Sequence, residues 1–276
     1  MDDRTGALEA VDGTILFTRE WLSDDPRANI LLVHGLGEHC GRWDHVGRFF
    51  ADRRYSVYSF DLRGHGRSGG ARVDVEQFDD FVSDVSVVAR YDVMPAGLPW
   101  VLYGHSMGGL IAARYLIADE PPPTAAVLSA PALSADVPLA LRWTAKGLGS
   151  VWPSLRFQNS IKAEQLSRDP AVGEAYFADP LVETKATARF GKELFAAQDD
   201  TVGRLDAIDV PTLVIHGGRD ELVPPSASES LESVGGVERE IYPDLCHEMH
   251  NEPERDQVLA DVYAWLESVL GRSAAS

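Results

Sequence analysis

Lysine is scarce in this chain: of 25 basic residues among 276, only Lys146, Lys162, Lys185 and Lys192 are lysines. Basic charge as a whole is outnumbered by 43 acidic residues, leaving a formal net charge of −18. A surface that acidic repels phosphate backbones and anionic headgroups, which excludes nucleic acid as a partner. Cysteine is nearly absent, with Cys40 and Cys246 alone, too few for a disulfide framework. The opening Met-Asp-Asp-Arg-Thr-Gly lacks the cationic flank and apolar stretch of a secretion signal. The expected compartment is therefore reducing and cytoplasmic. No uninterrupted apolar run approaches the ~18 residues of a membrane-spanning helix, so the expectation is a soluble chain whose contact with a membrane is at most peripheral.

Cofactor signatures are missing too. No Gly-x-Gly-x-x-Gly or phosphate loop follows the first buried run, so no nucleotide cofactor is expected. His247-Glu-Met-His250 is one residue short of the zinc-binding His-Glu-x-x-His, and no further ligand follows at motif spacing, so no metal is expected.

What is present is a rhythm. Short runs rich in Val, Ile and Leu alternate with longer segments of helical period, the signature of an α/β fold whose mostly parallel central sheet is flanked by helices. Strands are expected at 29–34, 56–61, 100–104, 126–129, 212–216 and 238–242, with an antiparallel hairpin at one edge from 8–10 and 14–19 around Val11-Asp12-Gly13. Helices are expected near 42–53, 76–91, 107–118, 226–234 and 254–270. Between Pro131 and Ile208 the strand rhythm stops for about 75 residues, too long for a plain loop. The expected organisation is a core of residues 1–131 and 208–276 with a helical cap, or lid, inserted over 132–207. The cap opens with Leu139, Leu141, Trp143, Leu148, Val151 and Trp152, read either as cap core or as an apolar lid over a greasy substrate or a lipid surface.

Gly104-His-Ser-Met-Gly108 fits the Gly-x-Ser-x-Gly elbow, in which a tight strand-to-helix turn exposes a serine hydroxyl. Gly66-Arg-Ser-Gly-Gly70 matches the same pattern, but Ser68 lies well past its strand and runs into charged residues, whereas Ser106 stands between an apolar strand and a helix. A serine nucleophile needs a base, and the base a carboxylate, in the chain order Ser, Asp or Glu, His. Asp220, just beyond the strand at 212–216, is the favoured acid, with Glu221 the alternative; His247 is the favoured base, with His250 the alternative. With an ordinary imidazole pKa, activity would fall as pH drops through about 6.5 or somewhat lower. The loop His34-Gly-Leu-Gly-Glu-His-Cys-Gly-Arg42 follows the first buried strand, and its glycines let backbone N–H groups face an oxyanion; Leu36 is the expected donor there, with Met107 as the second.

Together His34-Gly-Leu-Gly-Glu-His39, Asp61-Leu-Arg-Gly-His-Gly-Arg-Ser68, Gly104-His-Ser-Met-Gly-Gly109, Ser129-Ala-Pro131 and the segments around Asp220 and His247 resemble the monoacylglycerol lipase group of α/β-hydrolases, also described as lysophospholipase-like. The likeness spans nearly the whole chain, enters the cap at Ser167-Arg-Asp-Pro170 and Tyr176-Phe-Ala-Asp-Pro-Leu181, and is nearest to actinobacterial forms. It implies an α/β-hydrolase fold, a triad of Ser106, Asp220 and His247, an oxyanion hole from Leu36 and Met107, and a small lipid ester as substrate. It also implies that Glu38, Arg42, His105, Tyr176 and His250 surround the glycerol part. Read singly, Glu38 and Arg42 are equally a structural ion pair, His105 a satisfied core histidine and Tyr176 a packing residue. The implied activity is hydrolysis of monoacylglycerols through an acyl-enzyme without a cofactor; the alternatives are a lysophospholipase, a short-chain carboxylesterase or, outside enzymes, a binding protein on the same fold. Oligomeric state is not legible in the sequence.

Overall fold

A computed structural model describes residues 2–134, 147–159 and 161–273. The apolar runs become the strands of an eight-stranded sheet in the order β1-β2-β4-β3-β5-β6-β9-β10. Here β1 is Asp2–Glu9, β2 Ile15–Leu22, β3 Ala28–Val33, β4 Tyr55–Phe60, β5 Trp100–His105, β6 Ala125–Ser129, β9 Thr212–Gly217 and β10 Val237–Tyr242. The β1–β2 hairpin and the β2–β4 pair are antiparallel, and every other neighbouring pair is parallel. Strands β3 and β5 are buried at every position, as interior strands covered on both faces must be.

Alternation along β3 divides the core in two. Leu31 and Val33 pack with Phe81 and Val85 of α2 (Asp79–Val88) and Leu110 and Ile111 of α3 (Met107–Leu116). Ile30 and Leu32 pack on the other face with Val46 and Phe50 of α1 (Asp44–Ala51) and, at the chain's end, Val258, Val262 and Leu266 of α7 (Arg255–Ser273). Each such side chain contributes roughly 1.5–3 kcal/mol on leaving water.

Several expected boundaries shift for local reasons. Strand β1 begins at Asp2 rather than Leu8, because an edge strand ladders through its backbone and needs no apolar alternation. The helix expected at 42–53 opens with a 3-10 turn, Cys40–Trp43. The one expected at 226–234 is a 3-10 helix, Pro225–Ser233, where the Ser228 and Ser233 hydroxyls donate to carbonyls three residues back.

The insertion between β6 and β9 holds α4 (Ala163–Leu166), α5 (Pro170–Ala178) and α6 (Ala188–Val202). It also holds an unanticipated antiparallel pair, β7 (Arg156–Gln158) with β8 (Lys185–Thr187), each too short for an alternating pattern to show. Of the apolar residues at the cap's start, Leu139, Leu141 and Trp143 lie outside the described residues. Leu148 is half-buried, but Val151 and Trp152 are 66% and 64% exposed, so these two do not form cap core.

Candidate active site

Ser106 stands alone between β5 and α3, at φ 54° and ψ −117°, backbone that a non-glycine residue adopts only under constraint. The constraint is visible: its N–H donates to Ser129 O at 2.9 Å, and its carbonyl accepts from Leu110 at 3.1 Å and Ala132 at 2.9 Å. The two motif glycines make the turn possible. A Cβ on Gly104 would sit 2.2 Å from the Gly108 carbonyl oxygen, and one on Gly108 2.2 Å from that of Val33. Ser68, the rival match, is buried and spent on structure: its hydroxyl donates to Asp61 O and accepts the Phe17 N–H.

His247 Nε2 lies 2.9 Å from Ser106 Oγ, and His247 Nδ1 lies 2.6 Å from Asp220 Oδ2. With Nδ1–H donating to the carboxylate, Nε2 is left to accept the serine proton. The second Asp220 oxygen accepts the Leu222 and Val223 amides at 2.9 and 2.8 Å. Burial alone would raise the Asp220 pKa. The facing His247 and hydrogen bonds from His216, His247 and Val223 outweigh it and hold the carboxyl well below its ordinary range. For His247, burial pushes downward, but the charge and hydrogen bond of Asp220, aided by Glu248 and Glu38, lift the pKa above the ordinary 6.5. On that footing the fall of activity with acid is expected above 6.5. Glu221, the alternative acid, is exposed beside Gln165.

The loop after β3 is shaped by buried side chains. His34 Nε2 accepts the Leu62 amide at 2.9 Å, so Nδ1 carries the proton and donates to Gly35 O at 2.8 Å. Burial drives this imidazole's pKa down to about 4, which keeps that tautomer neutral. Glu38 turns back to accept the Gly35 amide at 2.7 Å. A Cβ on Gly35 would lie 3.2 Å from Ser106 Cβ, so this loop runs directly past the serine. Leu36 and Met107 both line the cavity above Ser106.

That cavity has a volume of about 170 Å³. Leu36, Met107, Leu166, Leu194, Leu222 and Val223 supply apolar wall, Glu38, His105, Tyr176, His247 and Glu248 a polar end, and Ser134, Asn159 and Gln198 further polar lining. Of the five residues expected around a glycerol moiety, Glu38, His105 and Tyr176 line it, whereas Arg42 and His250 stand behind the wall. Arg42 donates to Glu248 through two bonds of 2.7 Å and to Glu38 at 2.9 Å. Its guanidinium also lies 4.8 Å from the centre of the Tyr176 ring. The paired geometry outweighs burial and holds Glu248 down at about 2, while burial pushes Glu38 up. His250 stacks on Trp43 at 3.7 Å, its carbonyl accepts from His45 at 2.7 Å, and both its ring nitrogens are buried without a partner. Burial, with the nearby His45, Arg42 and His247, holds its pKa far below the ordinary value.

Two residues of this arrangement were not singled out in the sequence. Glu248 anchors Arg42, a role visible only once the segment after β10 meets the loop after β3. His216, next to last in β9, has Nε2 2.9 Å from Val223 O and 3.3 Å from Asp220 Oδ2, bracing the acid's loop. A histidine directly after the apolar run Leu213-Val-Ile215, four positions before the acid, was its signal. Cys40 and Cys246 are buried free thiols, and burial raises Cys246 to about 11, so neither ionises near neutrality. Among the described residues no cluster of three potential metal ligands occurs, and no helix is long and apolar enough to cross a membrane.

Comparison with known proteins agrees with this architecture. The hydrolase family described as serine aminopeptidase, S33 matches residues 24–254. A monoacylglycerol lipase of Mycolicibacterium smegmatis is 38% identical over 272 residues, covering 96% of this chain and 97% of that protein. The Homo sapiens monoglyceride lipase is 33% identical over 274 residues, covering 94% of this chain and 89% of that one. The crystal structure of a monoacylglycerol lipase from Paleococcus ferrophilus superposes with a TM-score of 0.83 at 28% identity, over 92% of this chain and 99% of that chain. An α/β-hydrolase fold, a serine at a strained elbow facing a histidine–aspartate pair, and these relatives converge: the chain is a carboxylic ester hydrolase belonging to the serine aminopeptidase, S33 family.

Proposed function

We propose that the chain hydrolyses monoacylglycerols to glycerol and fatty acid through an acyl-enzyme on Ser106. The observation that carries this reading is the continuous path of 2.9 and 2.6 Å from Ser106 through His247 to Asp220, with Ser106 and His247 lining a cavity that also holds Glu38, His105, Tyr176 and Glu248. Ser106 Oγ attacks the ester carbonyl as His247 Nε2 takes its proton, and the imidazolium then protonates the leaving glycerol oxygen. Water enters, is deprotonated by the same nitrogen, and releases the fatty acid. The Leu36 and Met107 amides receive the tetrahedral oxyanion, each contributing roughly 3 kcal/mol as such donors do elsewhere. No cofactor is required by these steps.

The polar end suits a neutral headgroup. Among the described residues lining the cavity the charged ones are Glu38 and Glu248, and the nearby Arg42 is neutralised by both. A lysophospholipid would bring its phosphate against carboxylates, which disfavours the phospholipase alternative. Glu38, His105 and Tyr176 are assigned to the glycerol hydroxyls, with Arg42 and His250 acting through them. Residues 132–207 form the cap over a core of 1–131 and 208–276. Its exposed Val151, Trp152, Leu155 and Phe157 are the surface for transient contact with lipid. Because the net charge is −18, that contact is apolar and favours neutral over anionic vesicles. The test is a panel of monoacylglycerol, lysophospholipid and p-nitrophenyl butyrate on wild type and Ser106→Ala. Monoacylglycerol preference that vanishes in the variant supports the reading; phospholipid preference, or activity retained in Ser106→Ala, refutes it.

A further inference from the structure

Leu36, the amide assigned to the oxyanion, is held from two sides. On the core side its neighbour Gly35 is fixed by His34 and Glu38, and Cys40 N–H donates to Asp61 at 2.8 Å. On the other side the loop is gripped by the cap. Glu183 N–H donates to Gly37 O at 2.8 Å, and the approach is so close that a Cβ on Gly37 would lie 2.4 Å from the Glu183 carbonyl oxygen. His39, two residues on, reaches the same cap segment, its Nε2 lying 3.0 Å from Asp179 Oδ2. His39 Nδ1 accepts the Gly41 amide at 3.1 Å, so the proton sits on Nε2 and the bond runs from His39 to the carboxylate. Asp179 thus joins the end of α5 to the loop that carries Leu36, and its other oxygen accepts the Leu181 amide at 2.8 Å.

We propose that Asp179 is a positioning residue for the oxyanion hole: by fixing His39 from the cap it sets the Leu36 amide, so that the hole is complete only when the 179–183 segment is seated. The inference rests on the Ser106 and Leu36 reading above and adds a role for the cap beyond covering the acyl chain. The cap then acts on rate, through transition-state charge, as well as on binding.

The distinguishing variant is Asp179→Asn. Its carbonyl still accepts from Leu181 and preserves the cap turn, but its NH2 then faces the His39 Nε2–H, donor against donor. His39 cannot relieve this by switching tautomer without losing the Gly41 amide. The expected result is a fall in kcat on p-nitrophenyl butyrate of about 10-fold, a fraction of the 10²–10³ seen when an oxyanion donor is deleted. KM stays within about 2-fold, and affinity for a trifluoromethyl ketone, whose adduct places an oxyanion in the hole, falls by the same factor as kcat. Melting temperature checks that the fold is kept, and Asp179→Glu, which restores an acceptor to His39, recovers part of the ketone affinity. Wild-type kcat and ketone affinity in Asp179→Asn would overturn the proposal, as would a defect confined to KM for long-chain esters. If Ser106→Ala remains active, the site reading itself has failed; if Ser106→Ala is dead and Asp179→Asn is unimpaired, only the cap's role has failed.

Discussion

The two halves of the site are built on opposite rules. Around Ser106 every reacting polar atom is paired: hydroxyl to imidazole, imidazole to carboxylate, carboxylate to two amides and His216. At the polar end the Tyr176 hydroxyl and both ring nitrogens of His250 are buried without a partner, beside an Arg42 satisfied twice over. Leaving a buried polar atom unpaired costs about 1–3 kcal/mol, which folding tolerates at a position that a ligand completes. Pairing fixes the geometry in which bonds change; at the other end the Tyr176 hydroxyl, on the cavity lining, is the open valence that the proposed glycerol headgroup would meet.

Substitutions separate these halves, and the largest effects belong to the paired one. Ser106→Ala and His247→Ala should each lower kcat by about 10³-fold or more with the melting temperature nearly unchanged, measured on p-nitrophenyl butyrate. Ser68→Ala should leave kcat near wild type and instead lower stability, since its hydroxyl serves two backbone groups, at Asp61 and Phe17. Equal activity losses at Ser68 and Ser106 would erase the contrast between the two elbows.

Arg42→Ala tests the anchor between the halves. It leaves the buried Glu38 and Glu248 carboxylates without a counter-cation and should destabilise the fold by about 3 kcal/mol or more, read by denaturant unfolding. Because both carboxyls would then protonate more readily, the loss should be greater at pH 8 than at pH 5. A loss independent of pH would mean that packing, not charge, is what Arg42 supplies.

The pH profile sharpens the paired half. His247 must be neutral to accept the serine proton, so kcat/KM should fall as pH drops through a value above 6.5, where Asp220 lifts it. Removing that charge in Asp220→Asn leaves burial as the dominant influence and should move the acid limb to lower pH while lowering kcat. An unmoved limb would show that Asp220 does not set the His247 proton affinity. The smallest effect is reserved for His250→Ala. Standing behind the cavity wall, it should raise KM for monoacylglycerol by a few-fold and leave p-nitrophenyl butyrate alone.

Most of the catalytic half was legible in the sequence, because strand, turn and helix signals around Ser106, Asp220 and His247 are local and topology fixes their order. Choosing Ser106 over Ser68 needed only the apolar strand before it and the helix after it. The polar end was less legible. Arg42 and Glu248 meet across 206 residues, and nothing near either says that the guanidinium will face two carboxylates and not the cavity. His250 was assigned to the glycerol end through resemblance; it does not line the cavity, but packs on Trp43 at 3.7 Å and on the lining residue His105 at 4.8 Å. The short β7–β8 pair and the 3-10 character of 225–233 escaped because three-residue strands carry no period and serine hydroxyls redirect local hydrogen bonds.

The most direct test of the account is intact-protein mass spectrometry after reaction with a serine-reactive fluorophosphonate, followed by peptide mapping. One adduct per chain on the peptide carrying Ser106, absent in Ser106→Ala and slowed by orders of magnitude in His247→Ala, is the predicted result. An adduct on any other residue, or one that persists in Ser106→Ala, would contradict it.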